Sequence, residues 1–164
     1  MPDLTIRALE PTLDRPALGA LLTEAQDYYL LWLGHPPGDA DVTDALTATP
    51  PGCDPTLSRR LGLFLDGCLS GVAELSFGYP APEDAYLGLM VLAPRARSGG
   101  HGATFHDHLL TLARANGCPR IFLGVLDVNK RGWAFWRRQG YAETGVTRLD
   151  AETGRLLHRL VKPL

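Results

Sequence analysis

Hydrophobic and polar residues recur along most of the chain at the spacings of strands and helices. Residues 4–9 alternate in the manner of a strand, whereas residues 14–25 carry apolar side chains at helical spacing after Pro11 and Thr12. The chain is therefore predicted to begin with a strand that is followed by a helix.

The next stretch, residues 27–55, is rich in aromatic and acidic residues and is interrupted by prolines. Because proline breaks a helix interior, we expect a short helix over residues 41–48, which lie between two proline pairs. The aromatic side chains near the start of the stretch are too apolar for a free linker. Residues 27–55 are therefore predicted to form a surface element that packs on the domain.

Two apolar runs, residues 60–65 and 68–77, predict an antiparallel pair of strands. They are joined by Asp66 and Gly67, which favour the tight turn of a β-hairpin. The later run 85–92 is nearly all apolar, as is typical of a strand buried on both faces. We expect this run to be a central strand of the sheet.

Helical and strand spacing then alternate to the end of the chain. We predict a helix over residues 99–116, a buried strand over 121–126 and a short helix over 129–139. A final hairpin is predicted from two strands, residues 141–149 and 155–161. A strand-helix-strand core within a largely antiparallel sheet predicts a mixed α/β (α+β) fold, with about seven strands and flanking helices. The whole chain, residues 1–164, is predicted to form this single domain.

Composition and charge exclude several classes of function. With 164 residues, 45% of them hydrophobic, the chain is long enough for one core and short for two. The net charge of -2 provides no basic field that would attract nucleic acid or anionic lipid, so we expect no nucleic acid and no membrane as partner. A monomer or a homodimer is expected.

The cysteines and the N-terminus bear on the location of the protein. Cys53, Cys68 and Cys118 are widely spaced and show neither a disulfide framework nor the ligand spacing of a zinc site. No uncharged apolar run approaches the roughly 20 residues that are needed to cross a bilayer, and the N-terminus lacks the apolar region of a signal peptide. We therefore expect a cytoplasmic protein without a metal cofactor.

The clearest chemical signal is the segment Arg97–Ala103, with the sequence RSGGHGA. It follows a predicted buried strand and opens a predicted helix, so its backbone N–H groups are available to an anion and its glycines keep Cβ atoms away. A pyrophosphate suits such a place. A tight turn whose glycines only serve packing is the alternative interpretation.

Two other nucleotide-binding motifs do not fit this segment. The dinucleotide-binding fingerprint requires a different glycine spacing in a unit near the start of the chain. A P-loop requires a lysine after its last glycine, whereas Gly102 is followed by Ala103 and Thr104. Neither a nicotinamide enzyme nor an ATP-hydrolysing enzyme is therefore expected.

The same segment resembles the acetyl-CoA-binding motif of the GCN5-related N-acetyltransferase (GNAT) family, R/Q-x-x-G-x-G/A after a strand, which Arg97, Gly100 and Gly102 match. A second family motif, N-x-x-A-x-x-[FL]-Y-x-x-x-G-[FY], is matched in order and spacing by Asn129, Gly132, Phe135, Trp136, Gly140 and Tyr141. The resemblance in motifs covers residues 85–141. It implies an N-acetyltransferase that moves the acetyl group of acetyl-CoA to a primary amine by direct attack in a ternary complex.

The resemblance also implies how acetyl-CoA is held. In the family, the strands equivalent to residues 85–92 and 121–126 separate, and the pantetheine arm lies between them. By the same resemblance the backbone at Leu92 helps to polarise the thioester carbonyl, which gives it a catalytic role. The implied cofactor-binding residues are Met90, Leu92, Arg97, Ser98, Gly99, Gly100, His101, Gly102, Ala103, Asn129 and Trp136.

A general base matters more than a general acid in this reaction, because an ammonium group has no lone pair whereas a thiolate departs readily. Glu74, in an otherwise apolar strand, is the first candidate for the base and Asp127 is the second. The alternative for Glu74 is an outward-facing residue without a catalytic role. Trp136 stands where many family members carry a tyrosine acid, and because an indole cannot supply a proton we expect it to form a wall against the pantetheine arm.

The sequence leaves the acceptor amine open. Residues 27–55 are expected on the acceptor side, where Tyr28, Tyr29 and Trp32 with nearby aspartates suit a cationic amine or form a solvated surface. A small metabolite, an antibiotic, a peptide N-terminus and a protein lysine all satisfy this pattern. A CoA-binding sensor or structural domain without turnover is the alternative function, because the usual acid is replaced and the strand over residues 85–92 carries no carboxylate.

Overall fold

All 164 residues are described in the computed structural model. The strands are β1 (Leu4–Ala8), β2 (Arg59–Leu65), β3 (Cys68–Phe77), β4 (Ala85–Leu92), β5 (Arg120–Leu126), β6 (Ala142–Leu149) and β7 (Leu156–Pro163). The helices are α1 (Arg15–Glu24), α2 (Gln26–Leu33), α3 (Asp39–Thr47), α4 (His101–Ala115) and α5 (Lys130–Arg138), with a single 3-10 turn at Pro94–Ala96. None of the helices combines the length and the apolar character that crossing a membrane requires.

The strands form one sheet in the order β1-β2-β3-β4-β5-β7-β6. Only β4 and β5 run parallel, and every other neighbouring pair is antiparallel. The prediction of a mixed, mostly antiparallel sheet of seven strands is therefore confirmed. The predicted turn joins β2 to β3, and Asp66 and Gly67 adopt the positive φ angles, 49° and 77°, that such a tight turn requires.

The stretch over residues 27–55 is more helical than its prolines predict. The expected short helix is present as α3, but the aromatic segment before it also forms a helix, α2, which the pattern did not predict. Tyr29 is buried, and Tyr28 and Trp32 also pack against the hydrophobic core, so α2 has apolar side chains on more than one side. Such a helix lacks the single apolar stripe from which a surface helix is recognised.

Two hydrophobic cores cover the two faces of the sheet. The core beneath α4 includes Leu63, Leu75, Phe105, Leu109 and Ile121. The core beneath α1, α2 and α3 includes Leu18, Leu22, Tyr29, Val42 and Val72. Because side chains alternate along a strand, Glu74 lies on the α1–α3 face while its neighbours Ala73 and Leu75 face α4.

Strand β4 lies in the middle of the sheet, as predicted, but only its first half has a paired strand on both sides. Residues 85–87 pair with residues 121–123 of β5, and beyond that point the two strands separate. Gly88 is an extra residue between two paired positions, because Leu87 lies opposite Leu75 and Leu89 lies opposite Glu74. This β-bulge re-aims the strand. The expectation of burial on both faces is thus corrected for Gly88, Leu89, Met90 and Leu92, which are at least partly exposed and border the opening between β4 and β5.

Candidate active site

The separation of β4 and β5 opens a cleft of about 670 Å³. Its walls are the second half of β4, residues 123–126 of β5, one side of α2, the segment before and at the start of α4, and α5. Most of the predicted cofactor-binding residues line it, namely Met90, Leu92, Arg97, Ser98, Gly100, Gly102, Ala103, Asn129 and Trp136. Gly99 and His101 do not, although both were predicted on the same motif.

The backbone of β4 turns hydrogen-bonding groups towards this cleft. In an antiparallel ladder, residues that exchange both hydrogen bonds alternate with residues that exchange none. The Ala93 N–H donates to the Ser70 carbonyl at 2.9 Å, so the alternation directs the amides of Leu92 and Met90 away from β3 and towards the gap. The Leu92 carbonyl accepts from Arg97 Nε at 3.0 Å, which agrees with this direction.

The segment over residues 97–103 brings the N-terminus of α4 to the cleft. Ser98 and Gly100 both have left-handed backbones, with φ angles of 66° and 82°. Such φ angles are rare for residues other than glycine. The loop adopts them directly before α4, where the first N–H groups of the helix have no partners within the helix. A Cβ atom on Gly102 would lie 3.2 Å from the Phe135 ring, so glycine at this position lets α4 approach α5 closely.

Arg97 forms an ion pair with a carboxylate that also lines the cleft. Its Nη1 lies 2.5 Å from Asp27 Oδ2 and its Nη2 lies 3.0 Å from Asp27 Oδ1. Arg131 adds a longer contact of 3.8 Å to the same carboxylate. The hydrogen bonds from Arg97 lower the pKa of Asp27 from its usual value, so the carboxylate stays ionised. Helix α2, which carries Asp27, is thereby tied to the predicted pyrophosphate loop.

Asn129 caps α5 at the edge of the cleft. Its Oδ1 accepts a hydrogen bond of 2.9 Å from the Gly132 N–H, as expected of an N-cap residue. A Cβ atom on Gly132 would lie 2.6 Å from Asn129 Nδ2. Glycine therefore leaves room for this cap at a position where the GNAT motif has alanine.

Trp136 borders the cleft from α5 and is half-buried. Its ring meets the rings of Phe135, Tyr141 and His106 edge-on at centroid distances of 4.7, 5.4 and 5.6 Å. Behind it, His106 Nε2 lies 2.8 Å from the Tyr141 hydroxyl. Packing on three aromatic side chains holds the indole in one orientation, which suits the predicted role of a wall.

A second cavity, of about 380 Å³, lies on the α1–α3 face of the sheet. It is bordered by α2, α3 and the β6–β7 hairpin. Six residues line both cavities: Tyr28, Gly88, Leu89, Gly124, Leu126 and Leu157. The two cavities therefore meet where β4 and β5 separate.

Glu74 lies in the wall of the second cavity and is only 4% exposed. Its Oε1 accepts a hydrogen bond from the Ser76 hydroxyl, which is itself 2.8 Å from the Ser58 hydroxyl. Burial raises the pKa of Glu74 above its usual value, and the Ser76 hydrogen bond and the charge of Arg60 oppose that rise. The carboxyl group thus has the environment of a base whose proton affinity exceeds that of a solvated glutamate.

Gly88 of the β4 bulge lies directly beside this carboxyl group. A Cβ atom built on Gly88 would overlap Glu74 Oε2. Only glycine therefore fits opposite the carboxylate in its present position. A lone glycine in an apolar strand is itself a sequence signal for a bulge or for a close approach, and this signal was missed.

Asp127, the second candidate for the base, lines neither cavity. Its carboxylate is 60% exposed and lies 3.1 Å from His158 Nε2. Across the whole chain, no three side chains of His, Cys, Asp or Glu come close enough together to hold a metal ion.

Tyr28 is the only residue with a hydroxyl group among those that line both cavities. The sequence predicted it as part of an aromatic acceptor surface but did not distinguish it from Tyr29 and Trp32. Burial raises the pKa of Tyr28 to about 12, so the phenol keeps its proton at neutral pH. Its place at the junction depends on the unpredicted helix α2.

Comparisons with known proteins agree with this geometry. The sequence profile described as "Acetyltransferase (GNAT) family" matches residues 20–141. A solved acetyltransferase from Thermus thermophilus is similar to the chain at 26% identity and a TM-score of 0.75, with 100% of both chains covered. A comparison with curated proteins finds no significant sequence match.

Two more distant structures have the same fold. A GCN5-related N-acetyltransferase from Kribbella flavida has 22% identity and a TM-score of 0.71, with 98% of both chains covered. The PaiA N-acetyltransferase from Thermoplasma acidophilum, solved in complex with coenzyme A, has 16% identity and a TM-score of 0.70, with 99% of both chains covered. Because the family profile matches most of the sequence and the fold agrees over the whole of it, the chain belongs to the GNAT family of acetyltransferases.

Proposed function

We propose that the protein transfers the acetyl group of acetyl-CoA to a primary amine by direct attack in a ternary complex. The observation that carries the proposal is that two cavities of different character meet at the opening between β4 and β5, beside the buried carboxyl group of Glu74. One cavity has the glycine-rich helix N-terminus that suits a pyrophosphate. The other is accessible to an acceptor from the opposite face of the sheet.

In this proposal the pantetheine arm of acetyl-CoA lies along the second half of β4. The amides of Met90 and Leu92 bind the arm, and the Leu92 region polarises the thioester carbonyl as the tetrahedral oxyanion forms. The loop from Arg97 to Ala103 binds the pyrophosphate. The coenzyme complex of the distant Thermoplasma acidophilum structure supports the use of CoA by this fold.

Glu74 accepts the proton of the attacking amine in this mechanism. A solvated alkylammonium group has a pKa near 10, so at neutral pH a base must remove its proton before or during attack. Glu74 lines the acceptor cavity, and its raised pKa makes it a better proton acceptor than a solvated glutamate. We assign this role to Glu74 and not to Asp127, because Asp127 lies outside both cavities.

Departure of the thiolate needs less assistance, because a thiol has a pKa near 8.5. Trp136 shapes the cleft and supplies no proton. The Tyr28 hydroxyl lies at the junction of the cavities and is the side chain that we propose to donate a proton or a hydrogen bond to the departing sulfur.

The proposal is tested by measuring CoA release from acetyl-CoA with a panel of primary amines and with Glu74→Gln. We expect Glu74→Gln to lower turnover most at pH values below the pKa of the amine, where a base is needed, and to leave the affinity for acetyl-CoA nearly unchanged. As pH falls through the raised pKa of Glu74 the wild type should lose activity, because the carboxyl group becomes protonated.

Two results would count against the proposal. An equal loss of activity in Glu74→Gln at every pH would show that Glu74 is not the base. Binding of acetyl-CoA without transfer to any amine or to any protein of a cell lysate would instead favour a CoA-binding sensor. Thermal stabilisation by acetyl-CoA is a separate readout, and at 100 times the dissociation constant it should add roughly 2.7 kcal/mol to the free energy of unfolding.

A further inference from the structure

The β6–β7 hairpin presents three arginines to the second cavity. Arg155, Leu157 and Arg159 are every second residue along the chain. Because side chains alternate between the two faces of a strand, all three lie on one face. Arg148 of β6 lies directly opposite Leu157 and therefore belongs to the same face. All three arginines line the cavity of about 380 Å³.

These arginines have no carboxylate partner. None of them takes part in an ion pair of the protein. Arg159 instead donates to the Tyr79 hydroxyl at 2.6 Å and lies 5.2 Å from the centre of the Tyr79 ring. The Nε atom of Arg155 is enclosed by the protein and has no hydrogen-bond partner. A buried donor without a partner is unfavourable, and a ligand bound in this cavity can supply the missing acceptor.

The carboxylates of the same cavity are engaged or lie on other elements. Asp150 accepts hydrogen bonds from the backbone N–H groups of Glu152 and Thr153 within its own turn. Asp41 accepts from the Gly38 N–H at the start of α3, and Asp44 lies one turn further along that helix. The cavity therefore has a basic wall on the β6–β7 hairpin and an acidic wall on α3, and the remaining carboxyl group is that of Glu74 on β3.

We propose that the acceptor is a small primary amine that also carries an anionic group, a carboxylate or a phosphate, and that Arg155 and Arg159 bind this group. The inference rests on the proposed acetyl transfer and names the class of its acceptor. A guanidinium group matches a carboxylate or a phosphate with two parallel hydrogen bonds, which is why arginine recognises such anions. Arg148 adds positive charge to the same wall.

The arginines lie on the hairpin next to the junction of the two cavities. Leu157 lines both cavities, and Arg159 pairs with Gly124, which also lines both. Residues on a strand are about 3.4 Å apart, so each arginine backbone lies within about 7 Å of the junction. A single small molecule can therefore place its amine at the junction and its anionic group at the arginines. In this orientation the amine faces Glu74 while the anion faces the hairpin.

The experiment compares amines in matched pairs. Each α-amino acid is assayed against its own carboxamide, and O-phosphoethanolamine is assayed against ethanolamine, so that the two arms distinguish a carboxylate from a phosphate. We expect the anionic member of at least one arm to have a kcat/KM that is tenfold or more higher, of the order that charged hydrogen bonds supply. The amine of the carboxamide is less basic, so a larger fraction of it is unprotonated and reactive. This difference by itself would favour the neutral member, so it cannot produce the expected preference for the anionic member.

Substitution of the arginines should abolish the preference. Arg155→Gln and Arg159→Gln should each lower kcat/KM for the anionic member about tenfold more than for the neutral member, mainly through a higher KM. Arg114→Gln removes the same charge from the exposed surface of α4 and should have no effect. Tyr79→Phe removes only the hydrogen bond between Tyr79 and Arg159. It tests whether the effect of Arg159→Gln on KM arises from the loss of this hydrogen bond and not from the loss of the charge.

The outcomes separate this inference from the proposed function. Equal use of both members of every pair would overturn the inference and leave acetyl transfer to amines intact, whereas failure to bind acetyl-CoA would overturn the proposed function. If acetyl-CoA binds but no member is acetylated, calorimetric binding of the same pairs to the protein saturated with CoA decides the matter. Tighter binding of the anionic member that is lost in Arg155→Gln supports the inference, and no difference overturns it.

Discussion

At the scale of single residues, the chemistry of the site depends on how Glu74 and Gly88 fit together across β3 and β4. The carboxyl group is buried, accepts a hydrogen bond from Ser76, and has a raised pKa. The bulge at Gly88 brings the backbone of β4 close to the carboxyl group and leaves no room for a Cβ atom. Gly88 therefore determines the position of the proposed base without taking part in the reaction.

Replacement of Gly88 by alanine should misplace this base. The backbone of Gly88 is not left-handed, so alanine fits its φ angle, but the new Cβ atom overlaps Glu74 Oε2 and must displace the carboxylate. We expect kcat for amine acetylation to fall on the order of 100-fold, as small displacements of catalytic groups do, with little change in acetyl-CoA affinity.

The control for this variant is Gly19→Ala in α1, where a Cβ atom would make an ordinary contact of 3.9 Å with Val42. Steady-state kinetics of both variants provide the measurement. Wild-type turnover in Gly88→Ala would contradict the assignment of Glu74 as the base.

At the scale of elements, α2 connects the two cavities. Asp27 in its first turn pairs with Arg97 of the predicted pyrophosphate loop, and Tyr28 borders both cavities one residue later. If an anion binds at this loop as proposed, it competes with Asp27 for the same guanidinium group. Because the two ends of this contact are 70 residues apart in the chain, neither motif reveals it.

Asp27→Asn should strengthen the binding of CoA. The substitution removes a negative charge from the cleft and frees the Arg97 guanidinium for the pyrophosphate, so we expect Kd to fall about threefold or more at low ionic strength and less at high ionic strength. Calorimetric titration with CoA measures both. Weaker binding in Asp27→Asn would instead show that Asp27 holds Arg97 in its binding position.

Two further variants serve as controls for the titration with CoA. Arg97→Gln should raise Kd, because the cation itself is lost. Glu152→Gln removes the same charge from an exposed turn and should leave Kd unchanged, which separates a local effect from a change in net charge.

At the scale of the whole molecule, the packing of α4, α5 and the sheet encloses a histidine. His106 is fully buried against Trp136 and Tyr141, and burial lowers its pKa to about 4. In the unfolded chain its pKa is near 6.5, so between pH 6.5 and about pH 4 the unfolded state binds more protons than the folded state. The free energy of unfolding should therefore decrease as pH falls through this window.

His106→Gln should reduce this pH dependence. Glutamine keeps a polar group that can reach the Tyr141 hydroxyl but does not titrate, so the fall in stability below pH 6.5 should be smaller than in the wild type by about 3 kcal/mol at most. Urea unfolding at pH 7.5 and pH 4.5 provides the comparison, and His108→Gln on the same helix is the control. Equal pH dependence in the wild type and His106→Gln would contradict a buried neutral histidine.

The sequence by itself determined the features that depend on residues close together in the chain. The hairpin turn at Asp66 and Gly67, the loop from Arg97 to Ala103 and the order of most elements follow from local backbone preferences and hydrophobic spacing, and the family follows from two such motifs. Helix α2 is the exception among the elements, because its apolar residues reflect contacts with the sheet and carry no one-sided helical pattern.

Only the tertiary structure decided which ionisable groups share a cavity. Burial and Coulomb interactions depend on distances in space, and the relevant partners here are far apart in sequence, as Asp27 is from Arg97 and Tyr79 from Arg159. The sequence predicted Glu74 as the first candidate for the base and Asp127 as the second. The structure encloses Glu74 beside the opening of β4 and β5 and leaves Asp127 exposed beside His158. The arginine face of the β6–β7 hairpin likewise exists only because the pairing register places Arg148 opposite Leu157.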